Sequence, residues 1–370
     1  MEEVKKRKYS IDLLRVISMI GIIMIHVINQ GGVLKNIDIL SANYVIINIL
    51  NTLVMCSVNL FAMISGYLYI KKNKFNYKSI VNLILTVFFY SVIITIIFYG
   101  FNLFNVRQEG IKRLVYSLFP AIAGRYWYIT CYVFLFFMIP YMNKFILNFE
   151  KDEFRNFIFV TFILFSALSM FGVFDFFRIN SGYSPFWLIY CYFVGAYIKL
   201  HPETTETKKL LVILISLILM ATFLNYVAII IKVIVLKQSG LTSLFIVYNS
   251  PLILCASIII FKLFVNYNME RNHILEIASK TSFGVYIIHG NMLIYDFVLK
   301  NRFAFLSTQK TIIILIGIIV ISVLIYIVCA VIDQIRIYLF KIFNIKSAGE
   351  FCDKKIKKIL LEGERGIWKK

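Results

Sequence analysis

Three ionisable side chains lie within one apolar stretch near the start of the chain, YSIDLLRVISMIGIIMIHVINQ, at residues 9–30. They are Asp12, Arg15 and His26. Charge at membrane depth is costly, so ionisable residues there usually bind or react, and each needs a polar partner. A guanidinium can hold an anion in a fixed geometry, and imidazole exchanges a proton near neutral pH. This set could therefore anchor an anionic group and act as a general base.

The spacing of these residues places them on one face of a helix. Arg15 and His26 are 11 residues apart, which at about 100° per residue is three turns plus roughly 20°. Asp12 precedes Arg15 by one turn, and we expect it to position Arg15 rather than to react. Plainer roles also exist: Arg15 could extend toward the headgroups, and His26 could make a neutral hydrogen bond between helices. Their alignment favours a functional pair.

A second polar stripe is predicted near the end of the chain. Ser282, Tyr286 and His289 recur at i, i+4 and i+7, and Asp296 continues the same face. Polar residues on one stripe of a membrane helix require a polar environment. We predict that this stripe faces the same cavity as the polar face of the first helix, and that Ser282, Tyr286 and His289 bind substrate.

The composition predicts a membrane protein, because 60% hydrophobic and 16% charged residues exclude a soluble domain of this length. In lipid, the backbone N–H and C=O groups of such long apolar stretches can form all their hydrogen bonds only in helices. We predict an all-α integral membrane protein, a bundle of about ten transmembrane helices at 1–340, followed by a basic cytoplasmic tail at 341–370. The predicted spans are 10–29, 44–70, 79–101, 126–147, 155–174, 184–199, 209–231, 243–265, 280–299 and 311–340.

The distribution of charge predicts the orientation. Most Lys and Arg residues fall on the side of the two termini, which places both termini in the cytoplasm. The formal charge of +20 is then explained by topology and by attraction to anionic lipid, so we expect no nucleic-acid partner. The six cysteines are scattered without the spacing of metal ligands, and we expect no metal and no structural disulfide.

Four stretches carry a resemblance to a known family. IDLLRVISMIGIIMIH resembles the first-helix signature of the acyltransferase 3 family of integral membrane acyltransferases, an Arg and a His separated by ten residues with an Asp before them. NLFAMISGYLY, RYWYITCYVFLFFMIPYM and SFGVYIIHG resemble three later family segments, in the expected order. The resemblance extends from about Tyr9 to the tenth predicted span.

The resemblance implies transfer of an acyl group, commonly acetyl from acetyl-CoA, to a hydroxyl of a cell-surface polysaccharide or its lipid-linked precursor in the bacterial cytoplasmic membrane. His26 would take the hydroxyl proton or carry the acyl group, and Arg15 would bind a CoA phosphate or orient the entrance for the pantetheine. Ser65 and Gly66 would approach the CoA thioester, although Gly66 could equally serve a close helix contact. We expect no room for the extra SGNH hydrolase-like domain of many relatives, so the acyl group is delivered directly or through envelope-assembly proteins.

The fourth predicted span begins with a cation and two aromatic residues. Trp127 and Tyr128 could anchor a helix at the membrane surface, the common role of such residues. The resemblance instead favours binding of the acceptor, with Trp127 stacked on a sugar and Arg125 holding an anionic group. We therefore treat Arg125, Trp127 and Tyr128 as candidate substrate-binding residues.

A different class of function uses the same residues. A transporter or flippase for a lipid-linked sugar or a proton-coupled solute could use His26, His289 and Asp296 as proton relays. Transporters usually show internal repeats and paired broken helices, and the sequence shows neither. A non-catalytic scaffold would not require aligned ionisable groups within the membrane.

Overall fold

The computed structural model describes residues 7–72, 77–120, 124, 126–170, 175–237, 243–345, 350, 351 and 353–355. Within these residues the chain is helical and contains no strand. The α-helices in them are α1 (Tyr9–Ile25), α2 (Ala42–Tyr69), α3 (Tyr77–Gly100), α4 (Gly110–Leu118), α5 (Trp127–Ile146), α6 (Lys151–Phe162), α7 (Pro185–Leu200), α8 (Thr207–Ile230), α9 (Pro251–Asn266), α10 (His273–His289) and α11 (Thr311–Ile342).

Several helices continue or resume with π geometry. These π segments are His26–Gln30 after α1, Ile163–Leu168 after α6, Ile231–Val235 after α8, and Ile294–Leu299 beyond α10. A π turn inserts a residue into the α-helical ladder and is often found at functional positions. The first one begins at His26, so the imidazole lies where the helix changes its repeat.

Six helices in the described part of the chain are long and apolar enough to cross a membrane, counting their π and 3₁₀ extensions. They are Tyr9–Asn36, Ala42–Tyr69, Lys78–Gly100, Trp127–Ile146, Thr207–Val235 and Thr311–Ile342. The prediction of an all-α membrane protein is thereby confirmed. The count of ten spans, the cytoplasmic termini and the boundary of the tail, which falls partly outside the described residues, stay predictions.

The predicted span 280–299 is broken in the structure. α10 ends at His289, and the following helical segment, Ile294–Thr308, is bent from it by 77°. The side chain of Asn291 accepts a hydrogen bond of 2.9 Å from the backbone N–H of Leu293, a local turn that competes with continuation of the helix. Taken together, the two halves form a seventh candidate span.

The start of α9 also differs from the prediction. The expected span began at residue 243, whereas the helix begins at Pro251. Proline is favoured in the first helical turn because a backbone N–H at that position would have no partner within the helix, so its absence costs nothing. Residues 243–250 are therefore free to form a loop, and this loop contributes to the site described below.

Two helices form the centre of the bundle. α1 packs against α2, α10, α11 and α9, and α2 packs most extensively against α7. About two thirds of the most apolar part of both α1 and α2 is buried (67%), against 28% for α8 and α11. The central helices therefore present their polar residues to the protein interior, while α8 and α11 present apolar side chains outward.

Glycine permits a close contact between α2 and α7. A Cβ at Gly66 of α2 would overlap the carbonyl oxygen of Tyr192, and one at Gly195 of α7 would overlap the carbonyl oxygen of Met63. The two backbones thus pack against each other through glycine on both sides, as in close helix pairs of membrane proteins.

Candidate functional site

A cavity of about 970 Å³ runs along the inner face of α1. On α1 and the π segment that follows it, the lining extends from Arg15 through His26 to Asn29, a distance of about 21 Å at the helical rise. Other walls come from α2, α5, α10 and the loops that precede α7 and α9. The residues that the sequence aligned on one face of α1 therefore share one cavity.

The Arg15 end of the cavity is organised by a buried carboxylate. Asp12 is only 6% exposed and accepts hydrogen bonds from Arg7 Nε at 2.6 Å and from the Ser279 hydroxyl at 2.7 Å. Arg15 Nη1 lies 3.4 Å from the same carboxylate and donates a bond of 2.9 Å to Ser279 Oγ. This geometry supports the expectation that Asp12 positions Arg15. Lys280 adds a second cation to the cavity lining.

His26 lies between two aromatic partners. Its ring centroid is 5.1 Å from that of His289 and 5.0 Å from that of Tyr295, the latter in an edge-on arrangement at 87°. The carbonyl of His26 accepts the π-type hydrogen bond of 2.8 Å from Gly31 N–H. The two rings contact the imidazole, which also lines the cavity.

Part of the predicted stripe on α10 meets the polar face of α1. Tyr286 and Asp296 line the cavity, and His289, 1% exposed, contacts His26. Neither His289 nor Ser282 is among the residues that line the cavity, and the Ser282 hydroxyl lies 3.3 Å from the hydroxyl of Tyr326 on α11. The stripe is therefore divided between the cavity and the α10–α11 contact.

α1 and α10 run in the same direction along their contact. Arg15 meets Ser279, and one helical stretch later His26 meets His289. Sequence reasoning missed Ser279, although it lies one turn before Ser282 and so on nearly the same face.

Aromatic side chains form another wall of the cavity, which we call the aromatic wall: Trp127, Tyr183 and Tyr248. The Trp127 ring lies 4.6 Å from the Tyr183 ring and 6.0 Å from the Tyr248 ring, and the two tyrosine rings lie 5.0 Å apart. All three line the cavity. Tyr183 and Tyr248 were not predicted, because they lie in loops without periodic spacing.

Asn59 of α2 fixes one member of the aromatic wall. Its amide donates a hydrogen bond of 2.9 Å to the carbonyl of Tyr248 and accepts one of 2.8 Å from the indole N–H of Trp187. Asn59 is fully buried, so its lost hydration is replaced by these bonds. The loop before α9 is thereby held against the core.

Tyr128 also belongs to the site and not to a lipid-facing surface. It lines the cavity, its ring lies 5.9 Å from that of Tyr286, and its hydroxyl is buried without a hydrogen-bond partner among the described residues. The alternative role as an interfacial anchor does not fit this position. Arg125, the other candidate at this point, lies outside the described residues.

The two candidates on α2 have different surroundings. Ser65 lines the cavity and its hydroxyl donates to the Phe61 carbonyl at 3.3 Å. Gly66 lies against Tyr192 of α7, so helix packing already accounts for a glycine there. A contact of Gly66 with a cofactor stays a prediction.

An ion pair joins the cavity wall to α4. Arg113 Nη2 lies 2.5 Å from Asp296 Oδ2, and the Arg113 guanidinium lies 5.2 Å from the ring centroid of Phe297. The side chains of Arg113 and Asp296 are 19% and 31% exposed. This pair connects α4 to the segment after the break in α10.

Comparison with known proteins gives a family match. A family described as an acyltransferase domain matches residues 8–331, a range that includes α1, the break after α10 and most of α11. A comparison with curated proteins and another with solved structures each found no match. Apolar helices and this match together show a multi-pass membrane acyltransferase. The chain belongs to the acyltransferase 3 family.

Proposed function

We propose that this protein is an O-acyltransferase of the bacterial cytoplasmic membrane that moves acetyl from acetyl-CoA to a hydroxyl of a cell-surface polysaccharide or its lipid-linked precursor. One observation carries the proposal: a single cavity is lined by a cation, an imidazole and an aromatic wall. These are the groups needed to hold a phosphorylated donor, to move a proton and to bind a sugar.

The Arg15 end suits the donor. Acetyl-CoA carries several phosphate charges, and a guanidinium binds phosphate through fixed, charge-assisted hydrogen bonds. Arg15 is held in place by Asp12 and Ser279, and Lys280 lies in the same lining. The predicted cytoplasmic side of the termini is where acetyl-CoA is available, which agrees with donor binding at this end.

His26 suits the proton transfer. As the acceptor oxygen attacks the thioester carbonyl, the new C–O bond forms, the C–S bond breaks, and His26 takes the hydroxyl proton. The proton then passes to the departing CoA thiolate. In a second route, His26 first carries the acyl group and the hydroxyl attacks the acyl-imidazole. Ping-pong kinetics would identify the second route.

The aromatic wall suits the acceptor. Flat aromatic faces such as that of Trp127 pack on the apolar face of a sugar ring, while the tyrosine hydroxyls offer hydrogen bonds. Tyr286 and Asp296 line the same cavity and provide further polar groups for sugar hydroxyls.

A transfer assay tests the proposal. Full-length protein in nanodiscs would receive radiolabelled acetyl-CoA and a lipid-linked oligosaccharide, and we expect labelled glycan to form. His26→Ala should lower the rate about 10²–10⁴-fold, the usual contribution of a general base. His201→Ala is the matched control, because His201 follows the end of α7 and should leave the rate unchanged. Full activity of His26→Ala at normal expression would reject the assignment.

One observation favours the transporter alternative. The 77° break after α10 is a feature of transporters, whose binding sites often lie at interrupted helices. Proteoliposomes separate the two functions: movement of a labelled lipid-linked sugar across the bilayer without acetyl transfer would support the transporter, and acetyl transfer supports the enzyme.

A further inference from the structure

Two imidazole nitrogens beside the cavity are buried without a partner. Nδ1 of His26 and Nε2 of His289 have no solvent contact and no hydrogen-bond partner within the part of the chain that the structure describes. A buried polar atom without a partner costs about 1–3 kcal/mol. Because the two atoms belong to neighbouring rings, each is available as a hydrogen-bond partner for the other.

The backbone determines which nitrogen of His289 carries its proton. Nδ1 of His289 lies 2.6 Å from the carbonyl oxygen of Val285. A carbonyl only accepts, so Nδ1 is the protonated nitrogen. In the neutral ring Nε2 then has a free lone pair and can only accept. His289 therefore presents an acceptor that is fixed by the helix itself.

The two rings are close enough to share a hydrogen bond. Their centroids are 5.1 Å apart and their planes are inclined by 47°, so two nitrogens turned directly toward each other can approach the length of a hydrogen bond, about 3 Å. His26 begins a π segment and His289 ends α10. Rotation of the two rings that turns Nδ1 of His26 toward Nε2 of His289 would join these two nitrogens.

We propose that His26 and His289 form a proton-sharing pair in which His289 is the positioning residue that makes His26 a base; this rests on the proposed acyl transfer. At rest, His26 Nδ1–H donates to His289 Nε2. Neutral His26 then has an unprotonated Nε2, which serves as the base toward the cavity. Without His289, nothing in the described site selects this tautomer.

The protons balance through one cycle. When the acceptor hydroxyl attacks the thioester, its proton moves to His26 Nε2, and the Nδ1 proton of His26 moves to His289 Nε2. His289 becomes the cation, with its Nδ1–H still bonded to Val285. After the C–S bond breaks, the proton returns to His26 Nδ1 and the Nε2 proton of His26 passes to the CoA thiolate. The acceptor proton has then been exchanged for the acyl group with no net charge left on the pair.

Nuclear magnetic resonance tests the pair without substrate. The chain has four histidines, so full-length protein labelled with ¹⁵N-histidine in lipid bilayers gives an assignable spectrum. We expect a coupling across the hydrogen bond between the His26 and His289 nitrogens, and a protonated Nδ1 on His289. His289→Gln and His26→Gln assign the signals by removing them. Absence of the coupling, or a protonated Nε2 on neutral His289, would overturn the pair.

Kinetics test its role in transfer. Gln at position 289 can still accept from His26 but cannot take a proton, so we expect kcat to fall about 10-fold for His289→Gln and about 100-fold for His289→Leu. KM for acetyl-CoA should change less than about twofold, since His289 is not among the residues that line the cavity. Equal kcat for His289→Leu and wild type, or a loss confined to KM, would reject the role.

Failure of the two proposals can be told apart. A wild-type protein that shows the nitrogen coupling but transfers no acetyl would retain the pair and reject acetyl-CoA as its donor. A wild-type protein that transfers acetyl but shows no coupling would retain the enzyme and reject the pair.

Discussion

Arg15 and Ser279, 264 residues apart in the chain, are joined by a hydrogen bond of 2.9 Å from the guanidinium to the hydroxyl. The same hydroxyl donates to Asp12 at 2.7 Å. One serine thus connects the cation of the cavity with the carboxylate that positions it, and it aligns α10 with α1. The position of Arg15 is therefore determined by contacts from two helices.

Replacing Ser279 should impair donor binding. Ser279→Ala removes the acceptor from Arg15 and one donor from Asp12, and a hydrogen bond to a charged group contributes about 1.5–3 kcal/mol. We expect KM for acetyl-CoA to rise roughly 10-fold with a smaller change in kcat, measured in the labelled transfer assay.

Ser282 supplies the matched control. It lies one turn further along α10 and bonds to Tyr326 of α11 instead of facing the cavity. Ser282→Ala should therefore keep KM and kcat within about twofold of wild type, since only two neutral hydrogen bonds away from the site are lost, to Tyr326 and to the Ala278 carbonyl. An effect on KM as large as that of Ser279→Ala would contradict the division of the α10 stripe.

Removal of the Trp127 indole should weaken binding of the acceptor. Trp127→Ala deletes one face of the aromatic wall, and an aromatic contact of about 1–1.5 kcal/mol corresponds to roughly a tenfold rise in KM for the glycan. KM for acetyl-CoA should not change. Phe134→Ala on the same helix is the control, because Phe134 is 43% exposed on the outer surface. A rise in both KM values for Trp127→Ala would show a loss of structure instead.

A methyl group at Gly66 should destabilise the fold. The Cβ of Gly66→Ala would overlap the backbone of α7, and such overpacking costs about 1–3 kcal/mol. We expect a lower midpoint temperature of unfolding in detergent. Gly100→Ala is the control, since no atom lies within 4 Å of a Cβ there. A Gly66→Ala protein with the wild-type midpoint and no acetyl-CoA binding would instead support the predicted cofactor contact.

Loss of the Arg113 side chain should increase local opening of α4. The Arg113–Asp296 pair is partly exposed, so we assign it about 1 kcal/mol, equivalent to roughly fivefold faster local opening. Hydrogen exchange of residues 110–118 should therefore accelerate about fivefold in Arg113→Ala. Lys112→Ala, at a neighbouring exposed position, should leave exchange unchanged. Equal exchange in the two variants would show that other contacts hold α4.

The sequence was most informative about α1, because helical periodicity is determined by the backbone alone. A rotation of roughly 20° between Arg15 and His26 predicted a shared face, and both residues line one cavity. The family was also predicted from these residues and is confirmed by the match over residues 8–331. Periodicity gave no information on the neighbour of each face, so the contact of Ser282 with Tyr326 could not be predicted.

Other features depend on tertiary contacts and local geometry. The break at residues 290–293 has an apolar sequence on both sides. Hydropathy averaged over a window therefore stays high and does not detect the break. α7 has 16 residues, about 24 Å of helix, which is shorter than the roughly 30 Å of hydrocarbon. A window of apolar residues therefore predicts a span here although the helix is shorter than the hydrocarbon layer. Tyr183 and Tyr248 reach the cavity from loops, where no repeat relates them to Trp127.

The Arg7–Asp12–Arg15 cluster also determines the electric field of the cavity. Two guanidiniums share one carboxylate, so this end keeps a net positive charge, to which Lys280 adds. Asp296, which also lines the cavity, is neutralised by Arg113. The potential therefore falls along the cavity from the Arg15 end. We expect a polyanion to be oriented by this gradient before any specific contact forms, with its charged part toward Arg15 and its uncharged part leading into the protein.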